Sequence, residues 1–246
     1  MAKTSGQLKI AVAGFMQRDP VTFVRTVSGT SWDVLLQAMN NARLYAERLI
    51  DFELSKKSIQ ITGVSLLNGG NLANATLLGT NTAVSVKKII TPFLPIQSDV
   101  QQFPVDLISK IGWNNRIKRR FEGARPTDTS DYAFITDAPF AVMQTGNTLA
   151  IVPPDSTAVP QATFTLYADA VCWLPDYTSA GTENDFLLDF AFDWLMYQSI
   201  QELNFFVKED ERVTLSAAMV NRAWNSVVQY NQELIASTVD DLINLD

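Results

Sequence analysis

An α+β fold is predicted for this chain: a helical bundle of about four helices, two of them long and C-terminal, with antiparallel β-strand and hairpin insertions. Three observations lead there. Apolar residues recur at helical spacing near both ends of the chain. Runs rich in Ile, Val, Thr and Ser fill its middle. Short Gly/Asn turns join strands adjacent in sequence, which favours antiparallel pairing. The bundle core is placed at residues 1–56 and 182–246, and the β-rich insertion at 57–181 with a short helix near 104–120.

The elements follow in order. Residues 5–16 read as a short helix that Ser5 can cap. From Ser31 to about Leu54, Trp32, Leu35, Leu36, Met39, Ala42, Ala46 and Leu49 keep helical spacing, with Arg43, Glu47 and Arg48 assigned to the other faces and Ser31 or Thr30 as the cap. "KSIQITGVSLL" and "AVSVKKIITPFLPI" read as strands, and "NGGNLANATLLGTNT" between them as a polar loop. Asn68-Gly69-Gly70 lacks the GK[ST] or GxGxxG context of a phosphate cradle and reads as a loop tip.

A short helix is expected after Pro104, ending in Arg116, Lys118, Arg119 and Arg120. That basic cluster is read as a helix-end charge run favoured by the macrodipole, with a partner contact or a nucleic-acid grip as alternatives. Phe140–Gln144 and the stretch through Leu149 and Ile151 make a hairpin around Thr145-Gly146-Asn147, with positive φ expected at Gly146 and Asn147. "ATFTLYADAVCWL" adds a further strand. Thr182 and Asp185 make a T-x-x-D start for a helix running to about Phe206. "VKEDER" breaks it, Asp210 caps the next helix, and Glu211 suits its first turn. The acidic tail "STVDDLINLD" is expected to be mobile until bound.

Composition narrows the function classes. With 47% hydrophobic and 18% charged residues over 246 positions, the chain can fill a core. No apolar run reaches the roughly 18 to 20 residues of a membrane helix, and the N-terminal stretch does not read as a secretory signal, so synthesis in the cytoplasm is expected. The single cysteine, Cys172, excludes an internal disulfide and reads as a buried, inert thiol. Zero histidine removes Ser-His-Asp and Cys-His nucleophilic systems and histidine-based zinc sites. The net charge of −7 is opposite to that of a protein gripping a nucleic-acid backbone. No cofactor is expected.

Asp185, Asp189 and Asp193 recur every four residues in the penultimate helix and would share one face. Catalytic or divalent-metal use of Asp189 and Asp193, as in a metal-dependent carboxylate hydrolase, is the enzymatic alternative. Without Glu-x-x-His partners or a second carboxylate element, the row reads instead as an outer or subunit-facing row, or an acidic lumen. The opposite face carries Phe190, Trp194, Phe205 and Phe206, more aromatic surface than one core seam needs. It is therefore assigned, with the basic cluster, to a subunit or partner interface.

The ordered series "FAVMQTGNTLAIVPP", "ATFTLYADAVCWLPDYTSAGTEN" and the two closing helices resembles the head-to-tail connector (adaptor, or neck) proteins of tailed bacteriophages. Phe140, Gly146, Asn147, Leu149, Ile151 and Pro153 match the family's hairpin, Leu166 and Tyr167 its following strand, Asn184 its loop, and Asp210 and Arg212 its helix break. Leu94-Pro95 matches a strand ending in a Leu-Pro step. The chain departs at Asn184-Asp185-Phe186, where the family usually has a Pro-Asp step, and in a longer, more β-like stretch from Lys57 to Ile96. The resemblance implies a non-enzymatic virion protein, made in the bacterial host's cytoplasm. It would form a homo-oligomeric ring, typically dodecameric, between the portal protein and a downstream tail or neck protein. DNA would pass through without specific binding. The C-terminal Asp240, Asp241, Leu242 and Ile243 would dock on the portal. A tail-completion or tail-terminator ring protein is the alternative within the same class.

Overall fold

The structure, a computed structural model, describes residues 2–27, 29–65, 69–95, 102–112, 141–152, 163–206 and 211–243. It combines helices with largely antiparallel sheets, the α+β class expected from the sequence. Two compact units divide the chain: Met1–Leu54 with Leu174–Asp246, and Ser55–Trp173.

The first unit is helical. Helix α1 (Ser5–Phe15) starts at a capping box. The Thr4 hydroxyl accepts the Gln7 N–H, and the Gln7 side chain accepts the Thr4 N–H at 3.0 Å. Thr4, not Ser5, is therefore the cap; the Ser5 hydroxyl donates to Glu183 Oε2 at 2.5 Å. Strands β1 (Val24–Val27) and β2 (Thr30–Asp33) form an antiparallel hairpin, so Thr30, Ser31 and Trp32 are extended rather than helical. Asp33 takes the capping role for helix α2 (Val34–Leu49), its Oδ1 accepting the Leu36 N–H at 3.0 Å. A charged acceptor aimed at the first turn outcompetes the hydroxyls upstream. Helix α2 stops short of the expected Leu54 because Ile50 is extended (φ −135°, ψ 153°), and Phe52 turns inward against Phe186 and Phe190.

The single helix expected from Thr182 to Phe206 is two helices. Asp185 caps α3 (Phe186–Phe190) by accepting the Leu188 N–H at 2.9 Å, and α4 (Phe192–Glu202) follows, extended by a 3-10 turn at Leu203–Phe205. The break lies at Ala191 (φ −113°, ψ 19°), which is fully buried. Neither Pro nor Gly occurs between 186 and 202, so packing of the flanking aromatics, not local propensity, sets the break. Helix α5 (Glu211–Ile243) then spans about 50 Å. Asp240, Asp241, Leu242 and Ile243 lie in its last turns, so the tail is helical as far as Ile243. Glu211 occupies the first turn, and Asp210 lies outside the described residues.

Leu8, Val12, Leu35, Met39, Ala42, Ala46, Leu187, Leu188, Trp194, Leu195 and Leu203 are the centre of this unit's core. Their i, i+3, i+4 spacing on each helix is what turns the apolar faces inward. Among the described residues, no helix is long and apolar enough to cross a membrane.

The second unit holds two sheets. Five strands pair in the order β5 (Ala75–Leu77), β3 (Lys56–Ser65), β11 (Thr163–Cys172), β6 (Val86–Pro95) and β7 (Gln102–Pro104), all antiparallel. Four pair in the order β4 (Gly70–Asn71), β10 (Thr148–Val152), β9 (Ala141–Thr145) and β8 (Asp106–Leu107), with β8 parallel to β9. Ile59, Ile61, Ile89, Leu166 and Ala168 from the first sheet bury against Val142, Leu149 and Ile151 from the second. Gln144 ties the two sheets: its Oε1 accepts the Ile89 N–H at 2.8 Å and its Nε2 donates to the Lys87 carbonyl at 3.1 Å. Cys172 is buried, and burial pushes its thiol pKa up.

Three expectations for this unit change. The stretch 70–77 is not a plain loop but β4, a 3-10 turn and β5, because Leu72 and Ala75 insert into the core. Residues 106–107 are strand rather than helix: Val105 is buried and the Ile108 N–H donates to Val142 at 2.9 Å, which holds the backbone extended. Helical residues begin only at 110, with 110–112 described. At the β9–β10 turn, Gly146 has φ 57° while Asn147 stays at negative φ, the type II′ pattern, which places positive φ at the first turn residue only.

Candidate functional site

The helix expected to carry the three aspartates is broken at Ala191, and each aspartate stands at a helix start. Asp185 is the half-buried cap of α3, Asp189 lies in the first turn of α3, and Asp193 in the first turn of α4. Each sits where a helix dipole favours a carboxylate. Asp189 is exposed, and its Oδ1 accepts the Lys3 N–H at 3.0 Å; Asp193 is exposed. Lys3 also places its ammonium 4.1 Å above the Phe192 ring, so Asp189 and Phe192 together hold the start of the chain. Among the described residues, no group of three or more His, Cys, Asp or Glu side chains is placed to hold a metal ion.

The aromatic residues assigned to an interface divide between core and surface. Trp194 is 1% exposed, stacked with Tyr45 and tilted against Trp224 at 4.8 Å. It belongs to the core of the helical unit and is not available to a partner, which corrects that assignment. Phe190 is half-buried among Phe52, Phe186 and Tyr230. Phe206 is 42% exposed and meets the exposed Trp32 edge-on at 5.7 Å. Phe205 lies in the 3-10 turn after α4. Arg116, Lys118, Arg119 and Arg120 lie outside the described residues.

A polar assembly that the sequence reading missed occupies residues 174–185, a strap between β11 and α3. Asn40 on α2 makes a reciprocal pair with Tyr177: its Nδ2 donates to the Tyr177 carbonyl at 3.0 Å, and its Oδ1 accepts the Tyr177 N–H at 2.8 Å. One turn on, Arg43 donates to the Leu174 carbonyl at 2.6 Å, to Glu47 and to Asp176, while Glu47 Oε1 accepts the Leu174 N–H at 2.7 Å. At the far end, the Ser5 and Gly6 N–H groups donate to the carbonyls of Glu183 and Gly181 at 2.9 and 3.0 Å. The clue in the sequence was spacing: Arg43 falls in the buried row with Met39, Ala42 and Ala46, where an unpaired guanidinium would be costly.

The strap's titratable groups shift for separable reasons. Hydrogen bonds from the Ser5 and Thr178 hydroxyls hold the Glu183 carboxyl down to about 2. Burial pushes Asp185 above the ordinary carboxylate range, opposed by the Leu188 N–H. Burial, and then the neighbouring Asp185, push the Tyr177 hydroxyl well above its ordinary range. None of these groups is arranged around a nucleophile; the assembly fixes backbone to backbone. No protein-family model matches the chain, and no curated protein matches it.

Proposed function

We propose that this chain is a structural virion protein, one subunit of an oligomeric neck ring that joins a phage portal vertex to the tail and continues the DNA channel. The observation that carries the reading is the ordered series of elements. A hairpin turning at Gly146-Asn147 leads to a strand carrying Leu166-Tyr167, then to the strap with Asn184, and then to two helical segments before the long α5. On this reading α1, α2, the α3–α4 pair and α5 form a bundle of about four helices, and the β-rich part is an insertion in it.

The ring is homo-oligomeric and dodecameric, with heterologous contacts between neighbouring copies. Phe206 with Trp32, Phe190 and the basic residues Arg116, Lys118, Arg119 and Arg120 supply surfaces for neighbours, and the end of α5 (Asp240 to Ile243) meets the portal. The chain acts without a cofactor and is not an enzyme. A net charge of −7 suits a channel wall that repels phosphate and lets DNA slide. It is made in the bacterial cytoplasm and ends in the neck of the virion.

Negative-stain imaging of the purified protein, alone and mixed with the portal of the same virus, tests this. Rings, or a collar added beneath the portal, are expected. A monomer that ignores the portal overturns the reading, and a ring that caps tail tubes instead assigns it to tail completion.

A further inference from the structure

Strands β1 and β2 form a sheet of their own. Among the described residues no third strand joins either side, so both edges of the ribbon are open. Val24, Arg25 and Thr26 are exposed in succession, as are Ser31 and Trp32. Successive strand residues point to opposite faces, so neither face of the ribbon lies flat on the helices. Val24 and Trp32 are 41% and 43% exposed, and Trp32 leans on Phe206 only edge-on. An isolated two-stranded hairpin is marginal in water, and an open edge is a template for a further strand. The hairpin has the form of an arm suited to strand addition.

The arm's own pairing shows what it can take. Arg25 stands opposite Trp32, and Thr26 opposite Ser31. Val27 and Thr30 flank a two-residue turn, so the alternation of antiparallel bonds turns the N–H and C=O of Thr26 and Ser31 outward, one residue on each open edge. The two edges therefore complement each other. The β2 edge of one copy can meet the β1 edge of another in the register that β1 and β2 already keep. In that register Thr26 and Ser31 exchange backbone bonds between copies, and the guanidinium of Arg25 is set beside the indole of Trp32, with no like charges opposed. Charge favours the same occupant. Asp33 is tied to Lys9 and to the Leu36 N–H, which leaves Arg25 to make the arm positive, whereas the chain as a whole carries −7.

We propose that the β1–β2 arm is a contact between copies of this chain, with β2 of one copy adding antiparallel to β1 of the next. This rests on the neck-ring reading and names a contact that would close the ring. The pairing is heterologous, because each copy offers one edge and receives the other. Repeated around a closed ring, it leaves no strand edge open.

Cysteine cross-linking of the full-length protein tests the contact. Cys172 is buried, so cysteines placed on the exposed arm are the reactive ones. Thr26→Cys and Ser31→Cys proteins, one carrying a mass tag, are mixed and oxidised, alone and with the portal of the same virus, and the samples are imaged by negative stain. The expected product is a disulfide-linked dimer with one chain of each kind, formed by neither variant alone and reduced when Arg25→Glu is added to both. Asn225→Cys, exposed on α5, mixed with Ser31→Cys measures chance collision. A Thr26–Ser31 yield no higher than that baseline overturns the arm contact. Rings or collars without the mixed dimer overturn it too, and leave the neck-ring reading standing. A mixed dimer without rings or collars upholds the arm contact and overturns the neck-ring reading. Absence of both overturns both.

Discussion

Arg43 Nη1 donates to Glu47 Oε2 at 2.7 Å across one turn of α2, and both side chains are all but completely buried. Such a pair resists the removal of either member more than the removal of both, because what costs most is the uncompensated charge left behind. Arg43→Met should lower unfolding stability by about 3–5 kcal/mol in urea titrations. The double variant Arg43→Met with Glu47→Leu should recover a substantial part of that loss. A loss below about 1 kcal/mol for the single variant would show that the pair is hydrated rather than sealed.

Gly6 and Gly14, both in α1, should respond to alanine with opposite signs. A Cβ on Gly6 would lie 2.7 Å from the Gly181 carbonyl oxygen, where backbone meets backbone and neither can yield cheaply. Gly6→Ala is expected to destabilise by about 1–3 kcal/mol. A Cβ on Gly14 meets nothing within 4 Å, so Gly14→Ala should stabilise by about 0.4–1 kcal/mol through the unfolded chain. Thermal unfolding of the two variants side by side reads both signs at once.

Glu183 links stability to acid. Its folded pKa, about 2, lies below the ordinary carboxylate value, so its contribution is present in full above about pH 4.3 and is lost as pH falls through about 2. Because the group is partly solvated, that contribution is held to about 1 kcal/mol. Glu183→Gln should be less stable than the parent at pH 6, and the difference should shrink towards pH 2. Equal acid limbs for parent and variant in pH-dependent melting would place the acid sensitivity elsewhere.

The exposed aspartates divide differently from the half-buried one. On the proposed neck-ring reading, Asp189→Asn with Asp193→Asn should leave portal binding and ring formation intact by negative stain, with stability changed by less than about 1 kcal/mol. Asp185→Ala should cost about 0.5–2 kcal/mol, because it removes the cap of α3. Loss of assembly in the double variant would return the two exposed carboxylates to the interface.

Much of this architecture is legible from spacing and composition. The Ile, Val, Thr and Ser content of β3 and β6, the partial alternation of β11, the turn at Gly146 and the apolar spacing of α5 are all local signals, and each appears at its place in the chain. What escapes reading depends on distant partners. Trp32 fits the helical pattern of α2, yet pairing with Arg25 across the β1–β2 hairpin pulls it out of the helix. Nothing in the sequence between Phe186 and Glu202 announces a break, since aromatic packing on both sides imposes it. The strap is least legible of all. Asn40 finds Tyr177 at a separation of 137 residues and Ser5 finds Glu183 at 178, so no window of sequence contains both halves of either contact.

The division of the chain has a consequence for its birth on the ribosome. Strand, turn and strand of Ser55–Trp173 emerge as one uninterrupted piece, whereas the helical unit is written in two instalments on either side of it. After Leu54 leaves the ribosome, α1 and α2 wait on the order of ten seconds before the strap that fastens to them is synthesised. Over that interval the apolar faces of two nascent helices have no completed core to enter. The inserted β unit is by then fully synthesised, so it can fold before the helical unit whose first half was made earlier.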